Sequence, residues 1–398
     1  MADAVPPATA GDRLHTPEGA TAVLVLADGT VLWGRGFGAV RSTVGEVCFN
    51  TSMTGYQEIV TDPSYAGQII TFTFPHIGNV GANRLDVETA TPHCLGVVLR
   101  AELTERSNYR SEWEFNHWLG SVGLPGISGV DTRRLTRRIR DRGAPSGALC
   151  HAPDGVFDLE ALRRMAADWP GLEGMDLASH VSCTQSYSWS CGPWDASPGS
   201  DRYLPAPDPE FQVVAVDFGA KQAILRNLAH RGCRVTVVPA GSSCEDIMAH
   251  RPDGVFLANG PGDPAATGRY AVPEIRRLLE TGIPVFGICL GHQLLALALG
   301  ARTEKMRMGH RGGNHPVRRL ETGAVEITSQ NHGFVVSEDT LPATVEVTHR
   351  SLFDGTIEGF RMRDRPVFAV QYHPESSPGP HDSGYLFDAF ARLMRGGD

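Results

Sequence analysis

Pro284-Val-Phe-Gly-Ile-Cys289-Leu-Gly-His-Gln293 is the stretch that decides the fold of the carboxyl-terminal half of this 398-residue chain. Its residues Val285–Ile288 form an apolar run that is typical of a buried parallel strand. After Cys289 the chain continues into a leucine- and alanine-rich segment that stops at Gly300, which is typical of a buried helix. The stretch therefore predicts a sharp strand-to-helix turn with a cysteine at the turn.

A cysteine at such a turn is suited to nucleophilic chemistry. The N–H groups and the dipole of a helix start favour a thiolate and can hold an oxyanion. Gly287 and Gly291 permit the tight turn and leave room for a substrate. Because free cysteines often serve only as core residues, Cys289 does not establish catalysis alone.

A second motif, Gln371-Tyr-His373-Pro-Glu375, supplies an imidazole and a carboxylate at the predicted end of another strand. With the thiol, these are the parts of a cysteine-dependent acyl-transfer site. The order Cys…His-x-Glu resembles the class I, or triad, glutamine amidotransferases. The resemblance implies that Cys289 is the nucleophile, that His373 is the general base and acid, and that Glu375 orients His373.

Composition and charge narrow the class of protein. A hydrophobic content of 41% with 20% charged residues is ordinary globular usage, and a net charge of −9 argues against a nucleic-acid partner. The basic stretch 133–140 is a local exception to this negative charge. We interpret it first as the solvated face of an amphipathic helix and second as a docking surface for an acidic partner. The amino terminus lacks a signal pattern, no apolar run is long enough to span a membrane, and the eight cysteines form no Cys-x-x-Cys pair. We therefore expect a cytoplasmic enzyme with free thiols and no metal on this chain.

The chain divides in a stretch rich in proline, glycine, serine and aspartate. We predict a disordered tail over 1–20, an amino-terminal mixed α+β domain over 21–191, a linker over 192–210 and an amidotransferase domain over 211–398. In the last domain strands and helices alternate, which predicts an α/β fold with a largely parallel sheet flanked by helices. Three later strands are expected as antiparallel additions, near 324–328, 344–348 and 367–371.

Motifs outside the triad carry a more specific resemblance. Segments throughout the chain look like the carbamoyl-phosphate synthase small subunit family, at 49–58, 61–65, 75–79, 107–113, 129–136, 174–176 and 216–221. The resemblance implies a subunit that releases ammonia from L-glutamine through a glutamyl thioester. It also implies a large ATP-dependent subunit that makes carbamoyl phosphate from bicarbonate, for arginine and pyrimidine biosynthesis.

The resemblance also implies the residues that bind L-glutamine. The backbone N–H groups of Gly260 and Leu290 would face the developing oxyanion. The other implied positions are Ser64, Gly262, Gln293, Asn331, Gly333 and Phe334. One departure is Arg311, which stands where the family often has a second histidine.

No phosphate loop or other ATP-binding signature is visible, so we expect ATP and a divalent metal on the large subunit, with no cofactor on this chain. A higher oligomer of small–large heterodimers is expected. Three alternatives stay open. An amidotransferase of guanylate or anthranilate synthesis would lack the amino-terminal domain, and a non-catalytic scaffold would not need the complete triad. A cysteine protease would hydrolyse peptides rather than glutamine.

Overall fold

The computed structural model of the protein describes residues 16–195, 197, 199–200 and 202–397. Most of the predicted disordered tail, residues 1–15, lies outside the described residues. Within the rest of that tail Ala20 is buried, and its N–H donates to Pro17 O at 3.1 Å. No helix in the described part of the chain combines the length and apolar character needed to cross a bilayer.

The amino-terminal half is built around a closed barrel with the strand order β1-β2-β6-β5-β4-β3-β7. The barrel strands are β1 Ala22–Leu26, β2 Val31–Gly38, β3 Ser42–Asn50, β4 Gln68–Phe72, β5 Gly96–Val98, β6 Pro125–Ser128 and β7 Ser146–His151. Helices in this half are α1 Tyr56–Thr61, α2 Phe115–Ser121, α3 Thr132–Arg142, α4 Leu159–Asp168 and α5 Ala178–Val181. Every residue of β1 is buried, since one face packs inside the barrel and the other under α4.

The basic stretch 133–140 lies on α3. Leu135 and Ile139 are buried against the barrel, four residues apart on one face of the helix, while Arg133 and Arg137 are exposed. The carboxylate of Asp131 begins the helix by accepting a hydrogen bond from Arg134 N at 3.0 Å. The arginines therefore form an exposed helix face, which fits both interpretations, a solvated face and a docking surface for an acidic partner.

The carboxyl-terminal half is a ten-stranded sheet in the order β16-β15-β17-β18-β19-β14-β13-β11-β12-β8. Its strands, and the separate pair β9 and β10, are β8 Tyr187–Trp189, β9 Cys191–Trp194, β10 Tyr203–Pro205, β11 Phe211–Asp217, β12 Cys233–Pro239, β13 Gly254–Leu257, β14 Val285–Ile288, β15 Thr303–Arg319, β16 Val325–Val336, β17 Val345–Ser351, β18 Ile357–Met362 and β19 Val367–Val370. The helices are α6 Gln222–His230, α7 Cys244–Ala249, α8 Pro264–Glu280, α9 Leu290–Ala298 and α10 Tyr385–Met394.

The centre of this sheet is parallel, as predicted, and buried on both faces. Val214 and Val216 of β11 pack into one apolar core, while Val213 and Ala215 pack into the other. Alternate residues of a strand face opposite sides, so both sides must be apolar when helices cover both. The helices on these faces hold the strands so that their carboxyl ends meet at one edge.

The prediction that 367–371 is an antiparallel addition holds on one side only, because β19 pairs antiparallel with β18, Phe360 opposite Ala369, but in parallel with β14, Val285 opposite Val367. Its sequence Val-Phe-Ala-Val is a continuous apolar run, the pattern of a central parallel strand rather than of an added edge. The other two added strands do run antiparallel: β16 pairs with β15, and β17 with both β15 and β18. The parallel β19 carries the chain to the edge where β14 ends.

The stretch between the two halves differs from a plain linker. Within 192–210, β9 and β10 pair as a two-stranded antiparallel sheet, with Trp194 opposite Tyr203. The guanidinium carbon of Arg226 on α6 lies 3.8 Å from the centre of the Tyr203 ring. Strand β8, inside the range assigned to the first domain, joins the large sheet beside β12. Proline- and glycine-rich composition favours a linker, but aromatic side chains anchor this one to the second half.

Candidate active site

Cys289 stands between β14 and α9 in a strained backbone conformation. Its φ is 54° and its ψ is −102°, a region that residues other than glycine rarely adopt. The Cys289 N–H donates to Val370 O at 2.9 Å, which ties the turn to β19. A Cβ on Gly291 would lie 2.1 Å from Leu257 O, so only glycine fits there. The sequence thus forms the sharp turn that the Cys289 stretch predicted.

His373 and Glu375 follow β19 and lie buried at the same edge of the sheet. The backbone N–H of His373 donates to Ser329 O at 2.9 Å, and the ring Nδ1 lies 2.7 Å from Glu375 Oε1. Nδ1 therefore carries a proton, while Nε2 is buried without a hydrogen-bond partner among the described residues. Burial lowers the pKa of His373, but the Glu375 carboxylate and the neighbouring Cys289 thiol together raise it to about 10. The raised pKa favours transfer of the Cys289 proton to the imidazole, and the charged imidazole then stabilises the thiolate.

Lys221 is a fourth member of this buried chain that the sequence analysis did not single out. Its Nζ donates to Glu375 Oε1 at 2.8 Å, and both side chains are almost completely buried. Burial raises the pKa of Glu375, but Lys221 and His373 lower it to about 2. Lys221 directly precedes α6, where a positive charge is unfavourable because it opposes the helix dipole. A lysine at this position was the signal in the sequence that a carboxylate partner lies nearby.

The barrel half contributes directly to the site through a 3-10 turn at Pro63–Tyr65. Ser64 Oγ accepts a hydrogen bond from Asn259 Nδ2 at 2.9 Å, and Asp62 Oδ2 accepts from Asn331 Nδ2 at 2.8 Å. Asn259 Oδ1 in turn accepts from Lys221 N at 3.1 Å. Sequence reasoning assigned roles to Ser64 and Asn331 but not to Asp62 or Asn259, whose partners lie far away in the chain.

A small cavity opens onto the Cys289 thiol. Its volume is about 20 Å³, which holds about one water molecule. The structure brings seven of the eight predicted glutamine-binding residues to its wall: Ser64, Gly260, Gly262, Gln293, Asn331, Gly333 and Phe334. Gln68, Leu172, Pro261, Arg311 and His332 complete the lining. The wall therefore combines residues from both halves of the chain.

Leu290, the eighth residue, is buried beside the wall as the first residue of α9. An N–H at that position has no acceptor within its own helix, so it is available to an oxyanion. A Cβ on Gly260 would lie 2.9 Å from Leu290 Cδ2 and 2.1 Å from Phe218 O. The two residues expected to hold the oxyanion are thus neighbours, and glycine is required at one of them.

Gln293 holds the cavity wall together. Its Nε2 donates to Phe334 O at 2.8 Å and to Gln371 Oε1 at 3.0 Å, which links α9 to β16. The Cys289 thiol donates to Asn331 O, with Sγ and oxygen 3.7 Å apart. Gly262 has a φ of 92°, and a Cβ there would lie 2.7 Å from Met175 O. These contacts hold α9 and β16 together at the thiol, with Gly262 in the same cavity wall.

Arg311, the departure noted in the sequence, lies in the cavity wall and is almost completely buried. Its Nη1 donates to Met308 O at 2.7 Å, and its Nη2 lies 3.5 Å from Glu46 Oε1. Lys305 Nζ takes the other oxygen of Glu46 at 2.8 Å. Arg311 therefore joins the barrel strand β3 to β15.

A cysteine at a strained strand-to-helix turn, a charged imidazole and a buried carboxylate at the carboxyl edge of a parallel sheet define a class I glutamine amidotransferase. The profile of the family "Glutamine amidotransferase class-I" matches residues 214–393. A second profile, "Carbamoyl-phosphate synthase small chain, CPSase domain", matches residues 24–149.

Full-length relatives give the particular family. The carbamoyl phosphate synthase small chain of Ruegeria pomeroyi is 61% identical over 375 residues, which cover 94% of this chain and 96% of that one. The small chain of Bradyrhizobium diazoefficiens is 59% identical over 385 residues, covering 96% of each chain. A solved structure of a glutamine amidotransferase from Thermotoga maritima is 16% identical, covers 46% of this chain and 97% of that one, and has a TM-score of 0.37. The chain belongs to the carbamoyl phosphate synthase small chain family and is a glutamine-hydrolysing amidotransferase subunit.

Proposed function

We propose that this chain releases ammonia from L-glutamine through the triad Cys289, His373 and Glu375, and that a large subunit consumes the ammonia. The observation that carries the proposal is the buried series of a thiol, an imidazole, a carboxylate and the Lys221 ammonium, which ends at the cavity. Each member fixes the protonation or orientation of the next.

In the first half of the reaction, the Cys289 thiol passes its proton to His373 Nε2, and the resulting thiolate attacks the side-chain carbonyl carbon of glutamine. The carbonyl oxygen becomes an oxyanion, which the N–H groups of Gly260 and Leu290 stabilise. The charged His373 then gives its Nε2 proton to the departing nitrogen, so the C–N bond breaks and ammonia leaves. A glutamyl thioester on Cys289 remains.

In the second half a water molecule attacks the thioester. His373, now neutral, takes a proton from this water, and the C–S bond breaks to give glutamate and the thiolate. Glu375 holds the imidazole by its Nδ1 proton through both halves, while Lys221 keeps Glu375 ionised. The series therefore returns to its starting charges after each turnover.

The remaining cavity residues recognise the substrate. Ser64 and Gln293 offer a hydroxyl and an amide to the charged α-groups of glutamine, and Gly262, Asn331, Gly333 and Phe334 shape the wall. ATP and a divalent metal belong to the large subunit, which uses them to join bicarbonate and ammonia. We further propose that pairs of small and large subunits form a higher oligomer.

Cys289→Ser tests this proposal in the complex with the large subunit. We expect glutamine-dependent carbamoyl phosphate synthesis to be lost, while synthesis from added ammonium chloride persists, because Cys289 acts only in nitrogen release. Both rates are measured as carbamoyl phosphate formed. Cys244→Ser, a buried cysteine on α7 away from the cavity, is the matched control and should retain both activities. Loss of both activities in an assembled Cys289→Ser complex, or retention of the glutamine-dependent rate, would contradict the assignment.

A further inference from the structure

A buried group of side chains behind the cavity wall has no part in the chemistry above. We call it the histidine–glutamate cluster: His310 on β15, His332 on β16 and Glu358 on β18. The three residues are 3%, 5% and 0% exposed, and one nitrogen or oxygen atom from each lies within 4.8 Å of the others. A buried carboxylate such as that of Glu358 needs a charged or proton-bearing partner.

His310 has one ring nitrogen occupied and the other available. Its Nε2 lies 2.8 Å from Asp354 Oδ2, so in the neutral ring Nε2 carries the proton and donates it to this carboxylate. The lone pair is then on Nδ1, which lies 3.4 Å from Glu358 Oε1. Neither Nδ1 nor Oε1 has a hydrogen-bond partner among the described residues. A carboxylate that orients a histidine in this way is the usual companion of a histidine that binds a metal.

His332 is oriented in the same manner. Its Nδ1 lies 2.9 Å from Phe334 O, and a carbonyl can only accept, so Nδ1 carries the proton and Nε2 the lone pair. Nε2 faces Gln330 Oε1 at 2.9 Å, which places one acceptor against another. Exchanging the oxygen and nitrogen of the Gln330 amide would remove this conflict but create another. Gln330 Nε2 donates to Glu358 Oε2 at 2.9 Å, and after the exchange an amide oxygen would face that carboxylate.

When both rings are neutral, four electron-pair donors converge: His310 Nδ1, His332 Nε2, Glu358 Oε1 and Gln330 Oε1. In that state the carboxylates of Asp354 and Glu358 leave this buried region with two negative charges, which one divalent cation would balance. Two nitrogens and a carboxylate oxygen suit Zn²⁺, at about 2.0–2.1 Å from each ligand in tetrahedral geometry. Ligands at that distance lie roughly 3.3 Å apart, close to the 3.4 Å between His310 Nδ1 and Glu358 Oε1.

We propose that the histidine–glutamate cluster binds one Zn²⁺ through His310 Nδ1, His332 Nε2 and Glu358, with Gln330 or a water molecule as the fourth ligand. The ion would be structural, since no step of glutamine hydrolysis passes through it. Because His332 lies between Asn331 and Gly333, a metal there would fix the cavity wall from behind. The sequence analysis expected no metal on this chain; the three ligands lie on three strands and show no metal-binding spacing.

A proton is the competing occupant of the same space. Protonation of His310 at Nδ1 would let it donate to Glu358, and the experiment must separate the two. The full chain, purified in complex with its large subunit, is stripped with a chelator, dialysed and titrated with Zn²⁺ against a chromophoric chelator. Metal content is measured by inductively coupled plasma mass spectrometry. We expect one tight equivalent per small chain beyond those that the large subunit binds alone, and a higher thermal unfolding midpoint of this chain when Zn²⁺ is present.

Variants locate the bound ion. Glu358→Gln and His310→Gln should each lose this equivalent, whereas Cys289→Ser should keep it, which excludes the thiol as a ligand. Co²⁺ bound in place of Zn²⁺ should show no thiolate charge-transfer band. If the unsubstituted chain binds no Zn²⁺, a proton fills the cluster and the proposal is wrong, whatever the variants do. It is equally wrong if the ion is lost with Cys289→Ser or kept by a folded Glu358→Gln.

Discussion

Lys221 places a buried positive charge where a helix start would favour a negative one. The cost is offset because Nζ is 2.8 Å from the buried carboxylate of Glu375. Removing one partner of such a group leaves an uncompensated charge, which is more costly than the pair. We therefore regard Lys221 as a positioning residue that keeps Glu375 ionised and His373 correctly oriented.

At the same scale, His373→Asn tests the general acid and base. We expect glutaminase turnover to fall by about 10²–10⁴-fold with the fold intact, because no other group replaces the Nε2 proton. Turnover is measured as glutamate released by the complex. His349→Asn is the matched control, since His349 is equally buried but contacts Tyr385, remote from the cavity. A near-normal rate for His373→Asn would move the proton transfer to another histidine, with His292 and His332 the first to examine.

The residues that could be predicted from the sequence are those in compact motifs. Cys289, His373 and Glu375 lie in two short stretches whose local pattern indicates a strand end, and the structure brings them together. Lys221, Asn259 and Asp62 could not be assigned roles in this way. Each acts through a partner far away in the chain, and one sequence does not show which distant residues meet.

At the scale of elements, α6 depends on a residue of the other half for its first turn. Glu88 is buried, and its Oε2 accepts a hydrogen bond from Ala223 N at 2.9 Å, while its carbonyl accepts from Gln222 N at 3.1 Å. The side chain of Lys221, which precedes the helix, makes no cap. Glu88 therefore caps from the barrel half the same helix that Lys221 begins.

Glu88→Ala should lower the free energy of unfolding by about 1–3 kcal/mol, because it leaves a buried N–H without an acceptor. It should also slow glutaminase turnover by displacing Lys221. Glu88→Gln keeps an oxygen acceptor and should recover most of both losses. Urea unfolding and glutamate release provide the two measurements. Equal effects of the two substitutions would show that the charge of Glu88, rather than its hydrogen bond, is what matters.

Two elements escaped the sequence analysis for different reasons. The long strand β15 contains Gly-Gly-Asn-His-Pro and two register shifts, so it shows neither strand alternation nor a continuous apolar run. Helix α8 begins at Pro264, where Asp263 caps it, and continues through Pro273, a residue that usually ends a helical pattern. In both cases tertiary packing overrides a local signal, and β15 is the strand that carries His310 and Arg311.

At the scale of the whole molecule, the cavity at Cys289 has a volume of about 20 Å³, enough for about one water molecule and not for glutamine. We propose that the large subunit docks on the amino-terminal half, and that docking opens the cavity and completes the active geometry. We expect the isolated chain to hydrolyse glutamine slowly, and the large subunit to raise turnover on the order of tenfold, or ~1.4 kcal/mol in the barrier. Stopped-flow measurement of glutamate release with and without the large subunit provides the test. An isolated chain as fast as the complex would show that the cavity opens unaided.

The 3-10 turn of the barrel half contributes Ser64 and Asp62 to a site whose nucleophile lies in the other half. A substitution at Asn259 or Asn331 would remove a hydrogen bond to the other half. Neither half can therefore change independently at this interface over evolutionary time. Exchange of barrels between distant members of the family would give hybrids that fold yet handle glutamine poorly. The two halves therefore form one functional unit, although each carries its own core.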